Sequence, residues 1–119
     1  GFAIDVTPAS HILGTKIQCD LGKGPAIKVR DVNFISDPHV VNWMIDGAKM
    51  ARVPYQLEIL DVGSTDARSI QVTRSGIASG ALSIPCRYVH SPSEMINMAD
   101  YENAINLVVR LLTNPVSLG

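Results

Sequence analysis

The chain has 119 residues, of which 46% are hydrophobic, and a formal net charge of -1 at pH 7. This length is enough for one domain with a single hydrophobic core. The charge balance and the lack of a Lys/Arg run argue against a nucleic-acid-binding surface. Aromatic residues, at 5%, are too few for a platform that stacks bases or sugars. No apolar stretch approaches the roughly 18 residues of a membrane span.

The cysteine count and the start of the chain set two further expectations. Cys19 and Cys86 are too few for a disulfide framework, so a reducing, cytoplasmic setting is expected. The sequence begins with Gly1 and enters a strand-like run at once. We therefore expect residues 1–119 to be a portion of a longer protein.

The first half of the chain alternates between strand-like and helix-like patterns. In order, it predicts a buried strand over 2–6, a long polar loop over 7–24, a strand over 26–30, a helix from 37 to about 52, and an alternating strand with one wetter face over 55–60. Asp37 is a suitable N-cap and Pro38 suits the first helical position. Pro54 ends that helix.

The second half continues the alternation. It predicts a turn over 63–67 that opens a second helix, a C-terminal cap at Gly76, a buried strand over 77–84, and a last helix over about 99–113. Ser64 or Thr65 can cap the second helix, and Asp66 suits the positive end of its dipole. This order predicts an α/β fold with a mixed, partly parallel sheet flanked by helices.

Two polar residues stand where buried strands are predicted to end. Asp5 closes the first apolar run, and His90 follows the run that ends at Ile84. Ligands of open α/β sheets gather outside the carboxyl ends of strands, and a carboxylate with an imidazole suits a metal such as zinc. The alternatives are a turn-capping role for Asp5 and a loop role, bonded to backbone, for His90.

Other polar residues are weaker candidates. Thr65 and Asp66 are predicted at a helix N-terminus, which offers N–H groups to a substrate but also favours these residue types structurally. Lys23 lies between two glycines and can reach an active site or lie on a solvated loop, and its surroundings lack the Walker pattern. Structural roles are expected for the remaining candidates, which are His11, His39 and Cys86.

Five motifs in order carry a family resemblance. They are Ile4–Thr7, Leu21–Ile27, Val53–Glu58, Ser64–Ala67 and Ile84–Ser91. Together they resemble the tetrahedral or glutamyl aminopeptidases, a family of co-catalytic metallopeptidases with some relatives labelled endoglucanase-like. The resemblance covers nearly the whole chain. It departs from the family where the usual Gly-Gly-Thr-Asp-Ala is Gly63-Ser64-Thr65-Asp66-Ala67, and in the loop after Asp5.

The resemblance implies a fold, a site and partners. Asp5 would be a terminal ligand of one divalent ion and His90 of a second, with zinc or cobalt as the metal. The other ligands and the general base would lie upstream, so no catalytic residue is expected here. Residues 1–119 would form the C-terminal portion of the catalytic domain, within a zinc-aminopeptidase-like three-layer fold. The implied partners are a peptide substrate, the remainder of the same polypeptide and further copies in a homo-oligomer.

Two alternatives stay open on the sequence. A glycoside hydrolase, following the endoglucanase-like label, needs paired carboxylates and usually aromatic sugar platforms, for which Tyr88 and Trp43 are the candidates. A non-catalytic assembly fragment is the third interpretation. Metal content would separate these hypotheses, as would chelator-sensitive release of N-terminal residues compared with hydrolysis of cellulose oligomers.

Overall fold

A mixed β-sheet forms the centre of the computed structural model, which describes residues 1–10 and 17–118. The elements are β1 (Phe2–Pro8), β2 (Ala26–Arg30), α1 (Pro38–Ala51), β3 (Gln56–Ile59), α2 (Ala67–Gln71), β4 (Gly80–Arg87), β5 (Met95–Ile96) and α3 (Met98–Thr113). The strand order is β1-β4-β2-β3, and β5 pairs with β4. β1 runs parallel to β4 and β2 parallel to β3, whereas β2 and β4 are antiparallel. The predicted mixed, partly parallel sheet is confirmed.

Helices cover both faces of this sheet. On one face, α1 and α3 pack on the strands around a buried core of Ile27, Val40, Met44, Ala48, Val53, Leu82, Leu107 and Leu111. On the other face, α2 contributes Ala67 to a smaller cluster with Ala3, Phe34 and Ala81. The result is three layers, with α2 covering only part of its face. No helix of the described residues is long and apolar enough to cross a membrane.

Side-chain caps fix the starts of the two long helices. The Asp37 carboxylate accepts from the backbone N–H of His39 at 2.8 Å, and the predicted start of α1 is confirmed. The Asn97 side chain accepts from Ala99 N–H at 2.9 Å at the start of α3. α1 ends at Ala51, and its C-cap residue, Arg52, adopts a left-handed conformation before Pro54.

The first strand is longer than predicted, and this moves Asp5 into its interior. β1 continues to Pro8 because Val6, Thr7 and Pro8 keep pairing with Ile84–Cys86. Asp5 therefore lies beside Ser83 within the strand, and the expectation that Asp5 ends the strand is wrong. Residues 11–16, with His11, are outside the described part of the chain.

The buried and exposed sides of β3 are the reverse of those that its polarity predicts. Leu57 and Ile59 are 51% and 41% exposed, whereas Glu58 is 2% exposed. Glu58 lies opposite Lys28 of β2 in the register, and its carboxylate accepts from the Lys28 ammonium. A buried cross-strand ion pair, which the local pattern does not reveal, decides this orientation.

The region around α2 also differs from the sequence expectation. α2 is a five-residue helix whose N-cap is Asp66, without a side-chain capping bond, so neither Ser64 nor Thr65 caps it. After Gln71 the chain passes into turns, with Gly76 N–H donating to Thr73 C=O, and β4 begins only at Gly80. Gly76 thus belongs to a separate turn and does not cap α2.

Candidate functional site

Asp5 and His90 line one cleft. It has a volume of about 360 Å³, and its lining also includes Lys28, Thr65 and the apolar residues Val6, Leu60, Val62 and Val89. By strand alternation Asp5 is on the same face as Ala3, the face that α2 covers in part. We call this space the Asp5–His90 cleft. Residues far apart in the sequence meet here because β1 and β4 are parallel neighbours.

Asp5 reaches the cleft from within a paired strand. Its backbone lies beside Ser83 of β4. One carboxylate oxygen, Oδ1, accepts from the Val6 N–H at 2.7 Å. This bond limits rotation of the carboxylate, so the strand backbone largely determines where its oxygens lie.

His90 lies in a tight turn after β4. Its φ is +63°, a left-handed conformation that is uncommon outside glycine, although histidine adopts it more readily than most residues. The His90 N–H donates to Glu94 Oε1 at 2.8 Å, and Ser91 N–H donates to Tyr88 C=O at 3.1 Å. Glu94 therefore steadies the turn, and the turn determines where the imidazole lies.

Thr65 and Asp66 are beside Asp5. Thr65 lines the Asp5–His90 cleft and also an adjoining one of about 500 Å³, which Asp5, Asp66 and Arg68 line as well. The Thr65 hydroxyl is buried and makes no hydrogen bond within the described residues. A buried hydroxyl without a partner is costly, and this one is available to a bound molecule. Ser64 donates to the buried Asp31 carboxylate at 3.2 Å, which anchors the turn.

Lys23 does not line this cleft. It is exposed on a turn where the N–H groups of Gly22 and Gly24 donate to the buried Asp100 carboxylate at 2.7 and 2.8 Å. These bonds tie the turn to the start of α3. This position of Lys23 does not support its candidate role in contacting a substrate.

The sequence interpretation overlooked a buried polar cluster next to the cleft. Lys28 Nζ donates to Glu58 Oε2 at 2.7 Å, and the Thr7 hydroxyl donates to Glu58 Oε1. All three side chains are buried. The sequence does contain a signal for this cluster. Lys28 is a charged residue within the predicted strand at 26–29, and Glu58, of opposite charge, lies within the predicted strand at 55–60.

The two thiols are unsuited to nucleophilic or metal-binding roles. Burial raises the pKa of Cys19 to about 12, and the negative charge of Glu58 adds to the rise. Burial also raises the pKa of Cys86, with a further contribution from Glu94. Both thiols are protonated at neutral pH and act as small buried apolar groups. His39 is an exposed residue whose Nδ1 lies 3.3 Å from the Asp37 carboxylate, consistent with a structural role.

The cleft holds part of a metal-binding donor set. Asp5 offers carboxylate oxygen and His90 offers imidazole nitrogen, and both donors suit zinc and similar divalent ions. In the parts of the chain that the structure describes, no cluster of three or more His, Cys, Asp or Glu residues could hold a metal ion. A catalytic zinc usually takes three protein ligands. Asp5 and His90 alone fall short of that number, so a metal centre here would need further ligands.

Comparison with known proteins identifies the family of this chain. The M42 glutamyl aminopeptidase family profile matches residues 1–107. A protein of Acetivibrio thermocellus is 47% identical over 115 residues, covering 92% of this chain and 34% of its own length. An aminopeptidase structure from the archaeon Desulfurococcus kamchatkensis superposes with a TM-score of 0.91 at 38% identity, covering 97% of this chain and 34% of that one.

A third comparison concerns assembly. A Pyrococcus horikoshii TET1 peptidase, which can assemble into a tetrahedron or a large octahedral shell, matches with a TM-score of 0.75 at 25% identity, covering 92% of this chain and 32% of that one. The chain thus spans about a third of the length of the relatives it matches. The resemblance carried by the five motifs is confirmed, and the chain belongs to the M42 glutamyl aminopeptidase family.

Proposed function

We propose that this chain supplies one part of the active site of a metal-dependent aminopeptidase that releases N-terminal residues from peptides. Residues 1–119 are the C-terminal portion of its catalytic domain, and the remainder of the polypeptide supplies the general base and the other metal ligands. The observation that carries the proposal is that Asp5 and His90 line one cleft. Membership of an aminopeptidase family supports the reaction class.

Each residue of the cleft has a proposed role. Asp5 and His90 bind different divalent ions, zinc or cobalt, as terminal ligands. The Thr65 hydroxyl, which makes no hydrogen bond within residues 1–10 and 17–118, contacts the substrate, and Asp66 extends this contact into the adjoining cleft. The apolar lining from Leu60, Val62 and Val89 excludes water from one side of the bound peptide. Metal ions bound here would polarise the peptide carbonyl and acidify a water molecule.

Substitution of the two ligands in the full-length protein tests this function. We expect Asp5→Asn and His90→Ala to lower kcat/KM for aminoacyl-p-nitroanilides by at least about a hundredfold, because metal ligation by either residue is lost. A chelator should abolish the activity of the unmodified enzyme, and added Zn²⁺ or Co²⁺ should restore it. Metal content per subunit should fall in both variants.

Matched controls come from the same chain. Asp46 and His39 are exposed residues of α1 that do not line the cleft. Asp46→Asn and His39→Ala should therefore leave kcat/KM unchanged. Full activity in Asp5→Asn and His90→Ala would contradict the proposal. Chelator-insensitive hydrolysis of cellulose oligomers, without release of N-terminal residues, would favour a glycoside hydrolase.

The setting of the enzyme is part of the proposal. We infer a homo-oligomer, supported by the assembly of the Pyrococcus horikoshii peptidase named above. A cytoplasmic location is inferred from two buried cysteines that are both free thiols. Size-exclusion chromatography with light scattering measures the oligomeric state of the full-length protein. Fractionation of cells measures its location.

A further inference from the structure

Side chains from strands at opposite ends of the sheet meet on the face that carries Asp5. β1 and β3 are the two ends of the order β1-β4-β2-β3, so no backbone ladder joins them. Nevertheless the Thr7 hydroxyl of β1 donates to the Glu58 carboxylate of β3. The other oxygen of that carboxylate accepts from Lys28 of β2 at 2.7 Å. We call these three side chains the Thr7–Glu58–Lys28 bridge.

The bridge connects the two walls of the Asp5–His90 cleft. One part of its lining consists of Asp5 and Val6 from β1, and another consists of Leu60 and residues 62–65, from the segment that directly follows β3. We call these two parts the walls. Thr7 belongs to β1, which carries the first wall, and Glu58 belongs to β3, which leads into the second. Lys28, the third member of the bridge, also lines the cleft. We therefore expect a substitution in the bridge to alter the position of residues in both walls of the cleft.

Stability alone is a poor explanation for a bridge of this kind. Thr7, Lys28 and Glu58 are 0%, 1% and 2% exposed. Transfer of a charged pair from water to the interior costs several kcal/mol per ion, and well-packed apolar residues often stabilise a protein as much or more. What the ionic and hydrogen-bonded contacts add is a fixed geometry, because each bond holds only over a narrow range of distance and angle.

The bridge also acts close to Asp5. Side chains of a strand alternate between faces, so Asp5 and Thr7 project from the same side of β1. A bond that fixes Thr7 consequently restricts the strand segment that carries the Asp5 carboxylate. Ligand orientation by neighbouring hydrogen bonds typically changes metal affinity by about 10- to 100-fold.

We propose that Thr7, Glu58 and Lys28 are positioning residues that set the separation of the cleft walls and hold Asp5 in place. The effect on the walls is independent of what the cleft binds, whereas the effect on metal affinity rests on the proposed function. Thr7→Val removes the hydroxyl with little change of shape. Glu58→Gln keeps a similar side chain but leaves Lys28 without its counter-charge. Thr7→Ser keeps the hydroxyl and should behave as the unmodified protein.

The first measurement is hydrogen–deuterium exchange of the metal-free full-length protein. In Thr7→Val and Glu58→Gln we expect faster exchange in both β1 and residues 60–65. The matched control is Asp100→Asn, which perturbs an equally buried carboxylate bonded to Gly22 and Gly24, away from the cleft. Its faster exchange should be confined to that turn and the start of α3. Unchanged exchange at both walls in Thr7→Val and Glu58→Gln would overturn the proposal, whatever the activity.

The second measurement is Co²⁺ affinity, followed by the visible absorption spectrum. We expect Thr7→Val to weaken Co²⁺ binding about tenfold and to alter the band positions, which report ligand geometry. Thr7→Ser should restore both. An equal loss of affinity in Asp100→Asn would show that the effect is general destabilisation and would overturn the positioning role. If Thr7→Val does not fold, Glu58→Gln is measured by the same criteria.

Discussion

At the residue scale, His90 shows how a local bond can support an unfavourable backbone conformation. A left-handed φ is unfavourable for a residue with a Cβ, and the bond from His90 N–H to Glu94 holds the turn in place. The position of the imidazole therefore depends on a carboxylate a few residues further on. Substitution of Glu94 should disturb the imidazole more than the fold, because Glu94 is an exposed residue.

We therefore predict that Glu94→Ala in the full-length protein lowers metal affinity about tenfold, the lower end of the range for residues that orient ligands. The melting temperature should change little. Glu94→Gln is the control, since its side-chain oxygen can still accept from the His90 N–H. Equilibrium dialysis against Zn²⁺ measures the affinity. Equal affinity in all three proteins would contradict a role for Glu94 in placing His90.

At the element scale, the start of β2 is held close to the α1–β3 connection. Gly24 has a φ of +92°, and a Cβ at this position would lie 2.1 Å from the Pro54 carbonyl oxygen. Gly63 has a φ of +76° but open space around the same position. An alanine at either position would bear the cost of a left-handed conformation, and only at position 24 would its Cβ also collide with backbone.

Alanine substitution should separate these two costs. Gly63→Ala should lower the free energy of unfolding by about 1–2 kcal/mol, the cost of a left-handed conformation. The loss of free energy of unfolding in Gly24→Ala should exceed the roughly 0.5–3 kcal/mol that is typical of single substitutions, or the variant should fail to fold. Urea unfolding of the two variants, monitored by circular dichroism, measures the difference. Equal losses in both would mean that the β2 start can move away from Pro54.

Elements with local signals could be predicted from the sequence, and those that depend on distant partners could not. Asp37 and Pro54 mark the ends of α1 through short-range chemistry, and both predictions held. The length of β1 depends on pairing with residues 84–86, and the burial of Glu58 depends on Lys28. For the site, motifs pointed to Asp5, His90 and Thr65, which line one cleft. The Thr7–Glu58 contact requires the strand order, which no local pattern contains.

At the scale of the whole molecule, the described residues contain no group of three or more His, Cys, Asp or Glu that could hold a metal ion. We predict that the isolated 119-residue chain binds zinc weakly and has no aminopeptidase turnover, because a catalytic zinc usually needs three protein ligands and a preformed site. β1 is also an end strand whose Ile4 is 55% exposed, so self-association is expected. Isothermal titration with Zn²⁺ is the measurement. Nanomolar binding together with chelator-sensitive turnover would contradict this prediction.

The pairing of β1 with β4 has a consequence for how the chain is made. β2, α1 and β3 form a unit of neighbouring segments, whereas Phe2 of β1 pairs with Gly80 of β4. Contacts between such distant segments form slowly, since a long loop must close first. At a synthesis rate of about 5–20 residues per second, β1 leaves the ribosome several seconds before β4 exists. During that interval the ladder partner that β1 has among the described residues is still missing, so binding of a chaperone to β1 would protect an unpaired strand.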